Sequence, residues 1–496
     1  MDSICRICVV FSLVLPLTSA LSPGAAAGPV ARTVKLDSLV TPSEKAFLLH
    51  ELTRIQPPER LRELAGYGPR QLELGGGFYG MMPDQLSDPD SIPLPVDEEG
   101  RLQAALCLAR QRQENRAALE KLNPDYAQSF RGHSLRGFLE GVSREKPAGT
   151  ESQPRLGLDL DISVFVGFFK ALADGEVSSA EAASLAGLPS NQAMLEHRRS
   201  LGYVPEPLPD TESLAEMIRM AGSADPLDRL WCWISSQNAF DYADLVQNAD
   251  GYRLLLSELE SQGDSLVDAV LIRIAGFTPP GFEFETTFAM TVGWAIRGWA
   301  TPEMAGLNLE QVKDDWHFLF GTMIEETYHR MQLELFPPTT TVPARGFDEL
   351  VAIETGDGRY DRLFEIVTYT VAEGAANVVR GSSAAPDLED KVPAGSELMA
   401  RFVRQVVGQG DLESADALIN EGLKGNGPLY GLGWKLARLI AEYDGRQAVG
   451  ELQQKGPVLF FLRGASLAVE TGKPLLDPEV IAAVEKLRNR LENPAR

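Results

Sequence analysis

Residues 282–294, FEFETTFAMTVGW, place the strongest constraint on the fold. Phe282, Phe284, Thr286, Phe288, Met290, Val292 and Trp294 alternate with Glu283, Glu285, Thr287, Ala289, Thr291 and Gly293. That period of two predicts a strand with one apolar face. A second, shorter strand is expected at MAGLNLE, 304–310. Elsewhere apolar residues recur at three- and four-residue spacing, as in EKAFLLHELTRI and PERLRELAGY within 41–67 and again over 213–274. Such spacing is helical. The pattern therefore predicts an α+β protein, predominantly helical, with a small β-sheet.

SREKPAGTESQPR, 143–155, is rich in charged, Pro, Gly and Ser residues and reads as a linker. It places a boundary at 146–155, between a helical N-terminal region (33–145) and a second domain (156–487). GGGFYGMMPDQLSDPDSIPLPVDEEG interrupts the N-terminal helices and reads as an exposed loop. At the start of the chain, Arg6 precedes an apolar run from Ile7 to Leu17, and Thr18, Ser19 and Ala20 follow. The run is too short to span a bilayer, and the small residues mark a cleavage site. Residues 1–20 therefore read as an export signal, with cleavage as late as residue 27 as the alternative. The expectation is an exported protein, periplasmic or extracellular, with no stable membrane span once the signal is removed. Cys5 and Cys8 would leave with the signal, while Cys107 and Cys232 remain. They can pair after export, but their spacing does not demand it. A formal charge of −24 disfavours nucleic acid and anionic membrane surfaces, which reward basic patches.

Asp314 or Asp315 is placed to cap a long helix that stops before Pro337 and Pro338. This helix carries IEETYHRMQ, 324–332. Glu325 and His329, four residues apart, share one helical face and can reach a common ion. Glu326 lies about 100° round the axis, where a carboxylate can meet a metal-activated water instead of the metal. A third donor is available on the next long helix, LFEIVTYTVAEGAANVV. Glu373 stands there among Phe364, Val367, Thr370, Val371, Ala375 and Val378, a setting costly for a core carboxylate and useful for a ligand. Gly374 and Ala375 leave room for a second helix to approach the metal helix. Asn377, one turn on, is placed to hydrogen-bond a ligating histidine, and Glu365, two turns earlier, is placed for similar work.

The ordered set of strand, short strand, DDWHFLFGTMIEETYHRMQ helix and TVAEGAAN helix resembles a gluzincin-type metallopeptidase core. In that class H-E-x-x-H is followed by a glutamate on a later helix. NGPLYGLGWKLARLIAEYDGRQAVGELQQKGPVLFFLRG resembles the C-terminal helices of bacterial zinc-dependent peptidases of otherwise unknown function. LDLDISVFVGFFKALADGEVSSAEAASLAGLPSNQAMLEHRR resembles the start of those domains. The likeness covers residues 156–487 and has no counterpart in 33–145. It implies a zincin-like fold with His329 and Glu373 as metal ligands and Glu326 as general base, acting on a peptide or protein substrate. Tyr430, by its place in GPLYGLG, is implied as an oxyanion stabiliser. Glu325 stands where the motif has its first histidine, which leaves an E-E-x-x-H variant. Two carboxylates and one imidazole can hold zinc in a three-ligand site. The extra negative charge also suits manganese or iron and makes a bound water less acidic.

Other readings compete with this one. Glu325 and Glu326 can be solvated helix charges, with His329 paired to Glu325 at the surface. Tyr328, Met331 and Leu335 read as core, and His50, His133, His197 and His317 as structural histidines. A zincin fold that has lost its metal would bind peptides or a partner without cleaving them. Glu326-x-x-His329 is also half of a di-iron bundle site, but no second Glu-x-x-His exists. The chain has no Gly-x-Ser-x-Gly elbow and no phosphate-binding Gly-x-x-x-x-Gly-Lys loop.

Overall fold

The computed structural model describes residues 134–142, 153–200, 210–224, 232, 242–247, 249–292, 298–309, 315–336, 353, 355–381, 387–424 and 427–492. The expected export signal, all of the N-terminal region before residue 134, Cys107, His50, His133 and most of the expected linker lie outside these residues. In chain order the elements are α1 (Leu135–Gly141), β1 (Arg155–Asp161), α2 (Ser163–Ala173), α3 (Ser179–Ala186), α4 (Pro189–Ser200), α5 (Thr211–Ala221), α6 (Tyr242–Gln247) and α7 (Ala249–Ala275). Next come β2 (Glu283–Thr291), β3 (Gly298–Ala300), β4 (Met304–Asn308), α8 (Trp316–Leu335) and α9 (Gly358–Arg380). The chain continues through α10 (Leu388–Phe402), a π-helical turn (Val403–Gly408), α11 (Glu413–Leu423), α12 (Pro428–Tyr443), α13 (Arg446–Gln454), α14 (Pro457–Glu470) and α15 (Pro478–Glu492). The protein is thus mostly helical with one small sheet, as its periodicities predict. No helix among the described residues is long and apolar enough to cross a membrane.

The sheet has four strands in the order β1-β2-β4-β3. β1 and β4 flank β2 in parallel, and β3 runs antiparallel to β4 along the edge. Both expected strands are present, as β2 and β4. Their partners β1 and β3 were not expected from the sequence. The alternation of β2 holds through its first half, where Glu283 and Glu285 are exposed and Phe284 and Thr286 buried. From Phe288 onward every residue is buried, because the strand sits inside a parallel sheet with helices against it. α8 packs on β4 and β3, α2 and α4 on β2, and α7 on β1. The sheet thereby fixes the helix that carries Glu325, Glu326 and His329.

Local signals start the functional helices. Asp315 caps α8, its carboxylate accepting from the Phe318 amide at 2.9 Å. Tyr328, Met331 and Leu335 are buried in the core, as expected. Asp357 caps α9 by accepting from the Arg359 amide at 3.2 Å, and it also pairs with the Arg359 and Arg490 guanidinium groups at 2.7 and 3.2 Å. The hydrogen bond from the Arg359 side chain is the main reason its carboxyl sits down at about 2. α12 starts at Gly427-Pro428 and α14 at Gly456-Pro457, proline serving at the first turn where its missing N–H costs nothing. α9 and α12 meet backbone to backbone. A Cβ on Gly374 would lie 2.0 Å from the Gly433 carbonyl carbon, and one on Gly433 would lie 1.8 Å from the Thr370 oxygen. The small residue after Glu373 therefore admits α12, not the metal helix as its sequence position suggested.

Two stability outcomes follow from these contacts. Gly433→Ala must force α9 and α12 apart and is expected to cost about 3 kcal/mol in urea denaturation, at the upper end of overpacking effects. Asp357→Ala is expected to cost about 1–2 kcal/mol at neutral pH, the range for a lost N-cap. Because the Asp357 carboxyl is depressed in the fold, its stabilisation is fully present above the ordinary value of 3.8. That contribution disappears as pH falls through about 2. Denaturation curves of both proteins should therefore converge at the acid end; an unchanged difference there would contradict the assignment.

Candidate metal centre

Three helices build the site. α8 supplies Glu325, Glu326 and His329, α9 supplies Glu373, and α12 supplies Tyr430. One ligand atom from each of Glu325, His329 and Glu373 lies within 4.8 Å of the others. The His329 Nε2 and Glu373 Oε2 atoms are 3.5 Å apart. Ligands sharing an ion at about 2 Å from each stand roughly 3–4 Å apart, so the His329–Glu373 edge already has that spacing. Glu325 stands wider, and its Oε2 is held by Arg380 Nη1 at 2.6 Å. All three groups are largely desolvated: His329 is 8% exposed, and the Glu325 and Glu373 side chains 14% and 20%. The solvated-helix reading is thereby set aside, and His329 pairs with Glu373 instead of with Glu325.

His329 is oriented from behind. Its Nδ1 lies 2.8 Å from Gln332 Oε1, while Gln332 Nε2 donates to the Ala372 carbonyl at 3.0 Å. The second bond fixes which way the amide points, so Oε1 is an acceptor and Nδ1 carries the hydrogen. Nε2 is left facing the carboxylates, the arrangement of a ligating histidine with its outer nitrogen tied down. Gln332 takes the supporting role that the sequence assigned to Asn377. Asn377 Nδ2 instead donates to the Glu373 backbone carbonyl at 2.9 Å, and Glu365 pairs with Arg362. Gln332 sits one turn after His329, so helical spacing alone could have proposed it.

Glu326 occupies the space beside the edge strand. A Cβ on Gly298 would lie 2.3 Å from Glu326 Oε1, so the bare backbone of β3 makes room for this carboxylate. Tyr430 completes the site with a hydrogen bond from its hydroxyl to Glu373. Glu326 and Tyr430 thus both stand close to Glu325 and Glu373. Of the other histidines, His317 packs edge-on against Phe138 at 4.8 Å, and His197 bonds to the Ala300 backbone. Neither belongs to the ligand group. Cys232 is buried, with its thiol 3.6 Å from the Met217 carbonyl.

Desolvation dominates the electrostatics. Burial pushes Glu326 up to about 8, helped by Glu325 and Glu373 and opposed by His329 and Arg380. Burial also raises Glu325, against the pull of Arg380 and His329. For His329 burial works downward, but Glu373, with Glu326 and Glu325 behind it, outweighs that and raises the imidazole to about 10. Tyr430 is held well above the usual tyrosine value by burial and the three carboxylates, so its hydroxyl keeps its proton. The donor set, its convergence and the tied imidazole fit a divalent cation, with Glu325, His329 and Glu373 as the holders.

Comparison with known protein families, curated proteins and solved structures finds no match to this chain.

The Glu325–Arg380 pair can be checked on stability alone. Glu325→Gln leaves a guanidinium only 11% exposed without its counter-charge. Breaking a buried pair from one side typically costs about 3–5 kcal/mol, whereas replacing both partners by apolar residues is close to neutral. Urea denaturation in the presence of chelator should show that loss for Glu325→Gln and a near-complete recovery in Glu325→Leu/Arg380→Met. Equal losses in the two proteins would mean that the charges are independent.

Proposed function

We propose that this protein is a metal-dependent peptidase with a zincin-like domain. The reading rests on one observation above all: Glu325, His329 and Glu373 converge from two helices around an imidazole whose inner nitrogen faces the carboxylates. A divalent cation held by these three residues supplies Lewis-acid activation of water and polarisation of a substrate carbonyl. Zinc suits the one-imidazole, two-carboxylate set, and manganese or iron suits its oxygen-rich character. Glu326 borders the ligands without belonging to them, in the position for a base that takes the proton from the attacking water. The same carboxyl then delivers that proton to the departing amine. Tyr430, kept protonated, can turn its O–H from Glu373 toward the oxygen that becomes negative as the carbonyl is attacked. The short edge strand β3 passes Glu326 at Gly298, and an extended peptide can add to such an edge through main-chain hydrogen bonds. Peptide or protein substrates, action outside the cytoplasm after export, and no nucleic-acid partner complete the proposal.

A second reading has its own support. Glu325 pairs with Arg380, and His329 with Glu373, with side chains alone. A pseudo-peptidase with the same fold would keep those pairs and use the cleft to bind peptides or a protein partner.

Metal content and one conservative variant separate the two. The wild-type protein is expected to hold one equivalent of divalent metal by elemental analysis and to cleave fluorescent casein. His329→Ala should lose the metal. Glu326→Gln should keep it while casein cleavage falls at least about a hundredfold, the lower range for loss of a general base. A folded, metal-free wild type that binds casein without cutting it would replace the peptidase reading with the second one.

A further inference from the structure

We infer that Arg380 is a positioning residue for the metal centre, joining Glu325 to form one charge-neutral donor unit. This inference rests on the proposed metal site and concerns how a carboxylate serves at position 325. Arg380 Nη1 donates to Glu325 Oε2 at 2.6 Å. That bond engages one carboxylate oxygen and leaves the other for an ion. Both side chains are nearly buried. A buried pair adds little net stability over an apolar replacement, so its place beside the ligands calls for a role other than holding the fold.

α8 is shaped to receive this guanidinium. Phe318, Gly321 and Glu325 follow one another at spacings of three and four along one stripe of the helix. The Arg380 guanidinium carbon lies 5.4 Å from the Phe318 ring centre. Gly321 forms a notch beneath the side chain, since a Cβ there would stand 2.9 Å from Arg380 Nε and 3.5 Å from its Cγ. Arg380 is also fixed at its root. It is the last residue of α9, and Arg273 of α7 donates to the Val379 and Val378 carbonyls at 2.6 and 3.2 Å. Gly381 follows with φ of 102°, which ends the helix at once. Ring, notch, carboxylate and anchored helix end thus hold a cation next to one particular ligand oxygen.

The chemistry explains why a cation belongs there. A bare carboxylate in place of a neutral donor adds a full negative charge to a dication's shell. Arg380 cancels that charge through the far oxygen, so the unit approaches the donor strength of an imidazole, and softer, nitrogen-accepting ions such as zinc remain competitive with manganese. An imidazole at 325 would need no such partner, and Arg380 would then repel the ion.

Zinc and manganese titrations by calorimetry test this with four proteins: wild type, Glu325→His, Glu325→His/Arg380→Met and Arg380→Met. Glu325→His alone is expected to lose about tenfold or more in zinc affinity, the scale of a lost outer partner, and the double variant should regain most of it. Arg380→Met alone should lower the ratio of zinc to manganese affinity by about tenfold. Equal zinc affinity in Glu325→His and the double variant would overturn the inference. Where Glu325→His does not fold, the Arg380→Met ratio decides, and a ratio unchanged from wild type overturns it. Absence of metal binding by the folded wild type would instead overturn the metal centre itself, and this inference with it.

Discussion

Three carboxylates in a nearly dry space between α8 and α9 set the terms for everything around them. Ionised carboxyl groups do not persist there without counter-charge. Arg380 provides one positive charge, and His329 provides a second when protonated. With Glu325, Glu326 and Glu373 all ionised, one negative charge would remain, and a proton on one carboxyl removes it. A divalent cation reaches the same total by another route: three negative carboxylates, one guanidinium, two charges from the ion and a neutral imidazole. The cluster can thus be neutral in either state.

Bringing these groups together depends on side chains that are missing. Gly374 and Gly433 allow α9 and α12 to touch through their backbones. This contact lies one residue beyond Glu373 and three beyond Tyr430, so the closeness of the helices sets the closeness of the hydroxyl and the carboxylate. Gly298 clears the edge strand for Glu326, and Gly321 clears α8 for Arg380. Each of these notches has a charged or polar side chain, or a helix bearing one, fitted against it. The overpacking that a methyl group would introduce would be felt first at the site and only then in the fold.

Much of this was legible in the sequence where a single element carries the signal. The strand at 283–291 declared itself by alternation, and the helix of Glu325 and His329 by its cap and spacing. Glu373 stood out because a carboxylate amid Val367, Val371, Ala375 and Val378 needs a partner. β1 carried its own alternation in LGLDLD but merged into the apolar run of α2, and β3 is too short for any period to show. The pairing of Glu325 with Arg380 was hidden for a different reason. It joins two helices, and no spacing within either one announces a contact between them. Gln332 lay in plain view at three residues from His329, yet Asn377 offered the same chemistry four residues, also about one turn, from Glu373. Only the inter-helix register distinguishes the two.

The same register gives position 325 its meaning. A histidine ligand is complete within its own helix, needing only something behind its outer nitrogen, as Gln332 stands behind His329. A carboxylate ligand brings a charge that its own helix does not neutralise, so the compensation must come from a neighbour. α9 is the natural source, because it already approaches α8 to deliver Glu373. Arg380 lies seven residues, about two turns, further along the same helix, and reaches back over Gly321 to a residue four positions ahead of His329 on α8. Glutamate at 325 is therefore not readable as gain or loss by itself. Its significance depends on a cation two turns past the later glutamate and on a small residue one turn before the motif, and this chain has both.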